Sequence, residues 1–110
     1  MTLIRGDSHA VLTICKVEEA LGNDKVDLLF IDGDHTYAGC MEDFQDYSTL
    51  VATGGVIAFH DILEHPYVPD CEVDRVWAEV SPLYVREEFT DPGDHHPEWG
   101  QWGGIGALVK

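Results

Sequence analysis

Apolar positions in this chain alternate between helical spacing and short continuous runs. Thr2–Arg5 is a short apolar stretch that predicts a strand stopping at Gly6-Asp7-Ser8. Ala10, Ile14, Val17 and Leu21 then recur at helical spacing, and Gly22-Asn23 supplies a C-terminal stop. Val26–Ile31 (VDLLFI) is nearly all apolar, the pattern of a strand covered on both faces. After a loop at 32–36, Tyr37, Cys40, Met41, Phe44, Tyr47 and Val51 make one helix face. Glu42, Asp43, Gln45 and Asp46 are assigned to its solvated side. Gly54-Gly55 ends that helix and opens a strand at Val56–Phe59. Asp70 is the expected N-cap of a third helix carrying Val73, Val76, Trp77 and Val80, which Pro82 terminates. Leu83–Thr90 reads as a strand, 91–102 as a loop rich in Gly, Pro, His and Trp, and Ile105–Val109 as a closing strand.

Strands separated by helices of this length build βαβ units. The expected fold class is therefore α/β, a Rossmann-like, mostly parallel sheet of about five strands with three helices, in one domain over 1–110. Ligands of such sheets sit beyond the carboxyl ends of the strands. Three polar clusters fall at those ends: Gly6-Asp7-Ser8, Asp32-Gly33-Asp34-His35 and His60-Asp61. They are expected to line one edge of the sheet.

Charge narrows the choice of partners. Twenty-one acidic against six basic residues give a net charge of −15, which repels phosphate backbones and anionic lipid. Nucleic acid and membrane are accordingly not expected partners. No run approaches the roughly 18 consecutive apolar residues of a membrane span, and the start at Met1–Asp7 is too polar for a signal peptide, so a cytoplasmic protein is expected. Cys15, Cys40 and Cys71 are odd in number without a CxxC spacing. Buried free thiols are expected, not a disulfide framework or a zinc site.

The string LFIDGDHTY at 29–37, followed after a helix by GGVIAFHD at 54–61, resembles the class I S-adenosylmethionine-dependent methyltransferases that carry FIDGDHSYE and PGGxxxxHD blocks. These are small-molecule O-methyltransferases related to the metal-dependent catechol-type and macrolide-sugar enzymes and to the cephalosporin hydroxylase type. A GDS element at Gly6 and the closing strand at 104–109 extend the resemblance from about Leu3 to Val109. That fold orders its strands 3-2-1-4-5-7-6, and this chain begins at the equivalent of the third. The first βαβ unit, with its glycine-rich cofactor loop and ribose-binding acid, has no counterpart here. The C-terminal half of the domain is what the resemblance implies. Either Thr2–Arg5 pairs with Val26–Ile31, or a partner covers that edge: a second copy in a homo-oligomer, or an N-terminal half elsewhere.

The resemblance also implies roles. Asp7 and Ser8 would contact the adenine of S-adenosylmethionine, although either residue before a helix also suits an N-cap. Asp32 would bound the cofactor site. With His60 and Asp61 it would hold a divalent cation, Mg or Mn; the alternative is that both aspartates cap loops and helices while His60 bonds a neighbouring carboxylate. His35 lies where the catechol-type relatives place a catalytic lysine. An imidazole there can take the proton from a substrate hydroxyl, or it bonds a backbone carbonyl and shapes the loop. His65, His95 and His96 match no standard metal spacing with His60, and Trp99 and Trp102 suit either a substrate wall or packing. The leading expectation is a small-molecule O-methyltransferase, or its C-terminal fragment, acting on a hydroxyl. The alternatives are a catalytically silent oligomerisation or binding module and a metal-dependent hydroxylase-type relative.

Overall fold

The computed structural model describes the chain except Pro92, Asp94, Trp99 and Trp102, with the backbone alone at His95 and Gln101. The Trp99 and Trp102 expectation therefore lies outside the described residues. Helices α1 (Val11–Leu21), α2 (Tyr37–Tyr47) and α3 (Val73–Val80) alternate with strands β1 (Val26–Ile31), β2 (Val51–His60), β3 (Val85–Phe89), β4 (His95–His96), β5 (Gly100–Gln101) and β6 (Ile105–Val109). The main sheet has the order β1-β2-β6-β3, and β4 pairs with β5 in a separate two-stranded ribbon. Strands β1 and β2 are parallel, while β6 lies antiparallel between β2 and β3. Three strands thus share a direction and the last opposes them, the 4-5-7-6 half of the Rossmann-like order.

One face of the sheet carries the core. Leu29, Ile31, Ile57, Phe59 and Leu108 project onto α2 and α3, where Cys40, Val73, Val76, Trp77 and Val80 meet them. Phe59 is fully buried, with ring contacts to Phe44 at 5.7 Å and Trp77 at 5.9 Å. Burying such a side chain stabilises the fold by about 1.5–3 kcal/mol. The opposite face is open: Leu28 is 59% and Phe30 47% exposed. The expectation of a β1 covered on both faces is corrected, since only its alternate residues Leu29 and Ile31 turn toward helices.

Other sequence expectations shift for identifiable reasons. Thr2–Arg5 forms no strand, so β1 remains the unpaired edge of the sheet. The chain leaves α2 through one 3-10 turn at Ser48–Leu50, and β2 starts at Val51, before the glycines. Gly54 and Gly55 instead form an irregularity inside β2. Gly54 takes φ +83°, and a side chain at Gly55 would meet Val51 at 2.7 Å and the Ala52 carbonyl at 2.9 Å. Asp70 is not the cap of α3, which begins three residues later with Glu72 at its N-cap. Nor do Asp7 or Ser8 cap α1: its N-cap is Ala10, without a side-chain bond, and Asp7 Oδ1 accepts from the His9 amide in a local turn. Cys15 is exposed, Cys40 buried and Cys71 half-buried, and all three are free.

Candidate active site

The parallel strands β1 and β2 end side by side, which delivers Asp32 from one and His60-Asp61 from the other. Asp61 then turns the chain at φ +61°, a left-handed conformation that a non-glycine residue adopts at some cost. Its amide donates to the Gly104 carbonyl at 2.9 Å, and the Leu63 amide donates to Gly103 at 3.2 Å, so the β6 approach holds this turn.

Four side chains gather there. His35 Nε2 donates to Asp32 Oδ1 at 3.2 Å, and its Nδ1 lies 3.6 Å from Asp61 Oδ2. His60 Nδ1 stands 3.0 Å from Asp61 Oδ2 and 3.5 Å from Asp32 Oδ1. Neither contact is aligned as a hydrogen bond, and His60 Nδ1 and Asp61 Oδ1 are both buried without a partner. Buried polar atoms left unpaired are costly, and here two of them converge. Ligand atoms of Asp32, His60 and Asp61 all lie within 4.8 Å of one another.

The capping alternative for the two aspartates is not what forms. Thr36 caps α2, its hydroxyl accepting from the Gly39 amide at 3.2 Å, and Asp34 accepts from the Thr36 amide at 2.8 Å. That amide bond, with the Thr36 hydroxyl beside it, holds the Asp34 carboxyl below its usual value. The costly buried carboxylate is also not Asp32, whose side chain is 47% exposed, but Asp61, which is 8% exposed. His35 contacts carboxylates through its ring, and its own backbone carbonyl accepts from the Glu72 amide at 2.8 Å.

Beside this cluster runs a cleft of about 340 Å³ lined by Ser8, Asp32, Gly33, Asp43, Tyr47 and the β1 residues Leu29–Ile31. That volume lies within the range of small-molecule sites. The Tyr47 hydroxyl donates to the Ser8 carbonyl at 2.7 Å, tying the GDS loop to α2. Burial first, then Asp43, Asp46 and Asp7, raises the Tyr47 phenol. Ser8 and Asp32 are thus brought to one cleft, while Asp7 is an exposed turn residue outside its lining.

Two participants escaped the sequence pattern. Asp43, placed on the solvated face of α2, is 6% exposed and lines the cleft, because it falls three residues after the buried Cys40 on the same helix side. His9 answers it: Nε2 lies 3.2 Å from Asp43 Oδ1 and 3.1 Å from the Gly39 carbonyl. Burial alone would lower the His9 pKa, but Asp43, Glu42, the Gly39 carbonyl and Asp7 together raise it above 6.5. The three-residue step from Cys40 was the available signal for Asp43; none existed for His9. His65 also joins, with Nε2 3.6 Å from Asp61 Oδ1, whereas His95 and His96 lie in the separate ribbon.

Comparison with known proteins fixes the lineage. A sequence profile described as a methyltransferase domain matches residues 1–62, more than half of the chain. The chain belongs to that methyltransferase-domain family. Over 57 residues, half of this chain, it is 37% identical to the uncharacterized protein R132 of Acanthamoeba polyphaga mimivirus, of which the match covers 26%. Two solved structures share the fold across 92% of the chain. One is the O-methyltransferase TomG from Streptomyces achromogenes, involved in tomaymycin synthesis and bound to S-adenosylmethionine, at TM-score 0.59 and 19% identity. The other is the O-methyltransferase from Bacillus cereus bound to S-adenosylhomocysteine, at TM-score 0.56 and 20% identity. The chain spans 47% and 48% of these two structures. The Rossmann-like methyltransferase fold expected from the sequence is therefore the one observed, in the portion that holds strands 4-5-7-6, without the third strand expected at Thr2–Arg5. No helix among the described residues is long and apolar enough to cross a membrane.

Proposed function

We propose that this domain takes part in S-adenosylmethionine-dependent methyl transfer to a hydroxyl group of a small molecule, assisted by a divalent cation. The observation that carries the reading is that Asp32 belongs both to the wall of the cleft and to the carboxylate–imidazole cluster, so a ligand in the cleft would abut the cluster. S-adenosylmethionine held along the wall made by Ser8 and Asp32 would supply the methyl group for the acceptor oxygen, with S-adenosylhomocysteine as the product that departs.

Ser8 and Asp32 line the wall that would hold the cofactor, and Asp7 supports the loop from outside through its bond to the His9 amide. His35 is the group to accept the hydroxyl proton. Asp32 accepts from its Nε2 and fixes the ring, which leaves Nδ1 facing the cluster. Asp32, His60 and Asp61 suit a divalent cation, because two carboxylates and an imidazole converge on unpaired buried atoms. Such an ion would lower the pKa of the acceptor hydroxyl. Catalysis would otherwise be a matter of positioning the two reactants in line.

The free β1 edge and the exposed Leu28 and Phe30 support a second polypeptide completing the cleft, either another copy or an N-terminal half. The imidazole in the cation set supports Mn or another transition ion over Mg. Calorimetric titration with S-adenosylhomocysteine, with and without Mg²⁺ or Mn²⁺, tests the reading. Saturable binding, on the order of micromolar and tighter with the cation, is expected. No binding at millimolar ligand in either condition would refute autonomous cofactor binding and leave the silent-module reading.

A further inference from the structure

Asp61 belongs to a second set of ligand atoms, which adds to His35 and Asp61 a thiol that the proposed methyl transfer does not use. His35, Asp61 and Cys71 also bring one donor atom each within 4.8 Å of the others. Cys71 reaches this position through a chain of backbone contacts. Its amide donates to the Val68 carbonyl at 2.9 Å, the next amide, of Glu72, donates to the His35 carbonyl at 2.8 Å, and Glu72 Oε2 accepts from the Tyr37 amide at 3.1 Å. The loop before α3 is thereby pinned to the start of α2.

His65 shows why Asp61 is left short of a partner. Its Nε2 accepts from the Gly103 amide at 3.2 Å, so in the neutral ring the proton sits on Nδ1, which faces Cys71 Sγ at 3.5 Å. The Nε2 atom therefore has no proton to give Asp61 Oδ1, 3.6 Å away. That oxygen is buried and unpartnered on a residue only 8% exposed. The other oxygen, Oδ2, lies 3.6 Å from His35 Nδ1. A carboxylate, an imidazole and a thiol within this reach form the donor set of a thiophilic ion; hard ions such as Mg²⁺ take oxygen ligands.

We propose that His35, Asp61 and Cys71 form a second cation site, selective for a zinc-class divalent ion and sharing Asp61 with the Asp32–His60–Asp61 set. On binding, a sulfur–metal bond forms and the Cys71 proton passes to solvent, with no change in oxidation state. Any pair at the far end of the 4.8 Å range must draw together by up to roughly 1 Å to reach tetrahedral zinc distances, with water in the fourth position. Where His35 serves as the base of the proposed transfer, an ion held here engages the same ring and opposes that role. This consequence rests on the methyl-transfer reading; the site itself does not.

The test uses Co²⁺ as the probe, added to the purified chain with a thiol-free reductant. A thiolate-to-cobalt charge-transfer band in the near ultraviolet, saturating at one ion per chain and displaced by Zn²⁺ but not by Mg²⁺, is expected. Cys71→Ser should abolish the band and weaken Zn²⁺ binding about tenfold or more, while Cys15→Ser and Cys40→Ser keep the band. In the unmutated chain Zn²⁺ should slow alkylation of Cys71 and leave that of Cys15 unchanged, a readout independent of how the variants fold. No band, a band that survives Cys71→Ser in a folded variant, or no protection of Cys71 would each overturn the proposal. Failure of S-adenosylhomocysteine to bind would leave this result untouched, so the two readings fail separately.

Discussion

Gly106 is the second residue of β6, with the Trp77 ring directly over it. A Cβ at Gly106 would stand 2.6 Å from two carbons of the benzo ring and 2.7 Å from a third. Ordinary carbon–carbon contact begins near 3.5 Å, so Gly106→Ala forces the ring or the strand back by roughly 0.8 Å. The ring cannot retreat freely. Trp77 is 5% exposed, its Nε1 donates to Glu88 Oε1 at 2.7 Å, and its edge packs against Phe59 at 5.9 Å. Weakening that hydrogen bond costs about 0.5–1.5 kcal/mol and disturbing the ring pair about as much, in line with the roughly 1–3 kcal/mol of core overpacking. We expect Gly106→Ala to lose about 2 kcal/mol by urea denaturation, with a melting temperature lower by roughly 10 °C. Trp77→Phe removes the clashing benzo ring, so the double variant should recover about 1 kcal/mol or more relative to additivity. An unchanged urea midpoint for Gly106→Ala, or strict additivity with Trp77→Phe, would refute this account of how α3 is seated.

Three further outcomes follow from the site. Burial opposes charging of His9, but four favourable partners outweigh it and raise the pKa, so its stabilisation is fully present below about pH 6.5 and is lost as pH rises through the folded value. Asp43→Asn should flatten that slope in stability measured between pH 5 and 8, roughly the window in which histidine titrates; an unchanged slope would assign it to another group. Asp61→Asn keeps a residue that tolerates φ +61° while removing a buried charge whose Oδ1 has no hydrogen-bond partner. Its urea stability should be equal or higher and its Mn²⁺ affinity about tenfold or more weaker, and a marked loss of stability would contradict the orphan-charge reading. Burial, then Asp43 and Asp34, pushes the Cys40 thiol up to about 12, whereas Cys15 is exposed. A disulfide reagent at neutral pH should label Cys15 in the native chain and Cys40 only after denaturation; rapid native labelling of Cys40 would show that α2 opens.

Much of this site was legible because strand ends are legible. Runs such as VDLLFI and VIAF identify parallel strands by composition alone, and in such sheets the residues just after each run share an edge. Asp32, His35, His60 and Asp61 could therefore be grouped before any coordinates, and they do converge. Helix faces were read less well where one residue sits at the boundary: Asp43 belongs with Cys40, not with its charged neighbours. His9, His65 and Cys71 gave no local signal, because each reaches the cluster through contacts far along the chain, such as Gly103 on His65 and His35 on Glu72.

The sequence by itself determined the order of elements, the α/β class and the polar strand ends, since hydrophobic periodicity is a local property that survives without partners. Tertiary structure alone decided which apolar runs found a neighbour. Thr2–Arg5 has strand composition but forms no strand, and among the described residues Leu28 and Phe30 of β1 are left exposed. It also decided which of the two strand-end carboxylates is buried with an oxygen left without a hydrogen bond. Asp32 and Asp61 look alike in sequence, but only Asp61 is enclosed by the turn that β6 holds in place. Desolvation depends on what surrounds a group in space, and that information is not carried by the residue or its immediate neighbours.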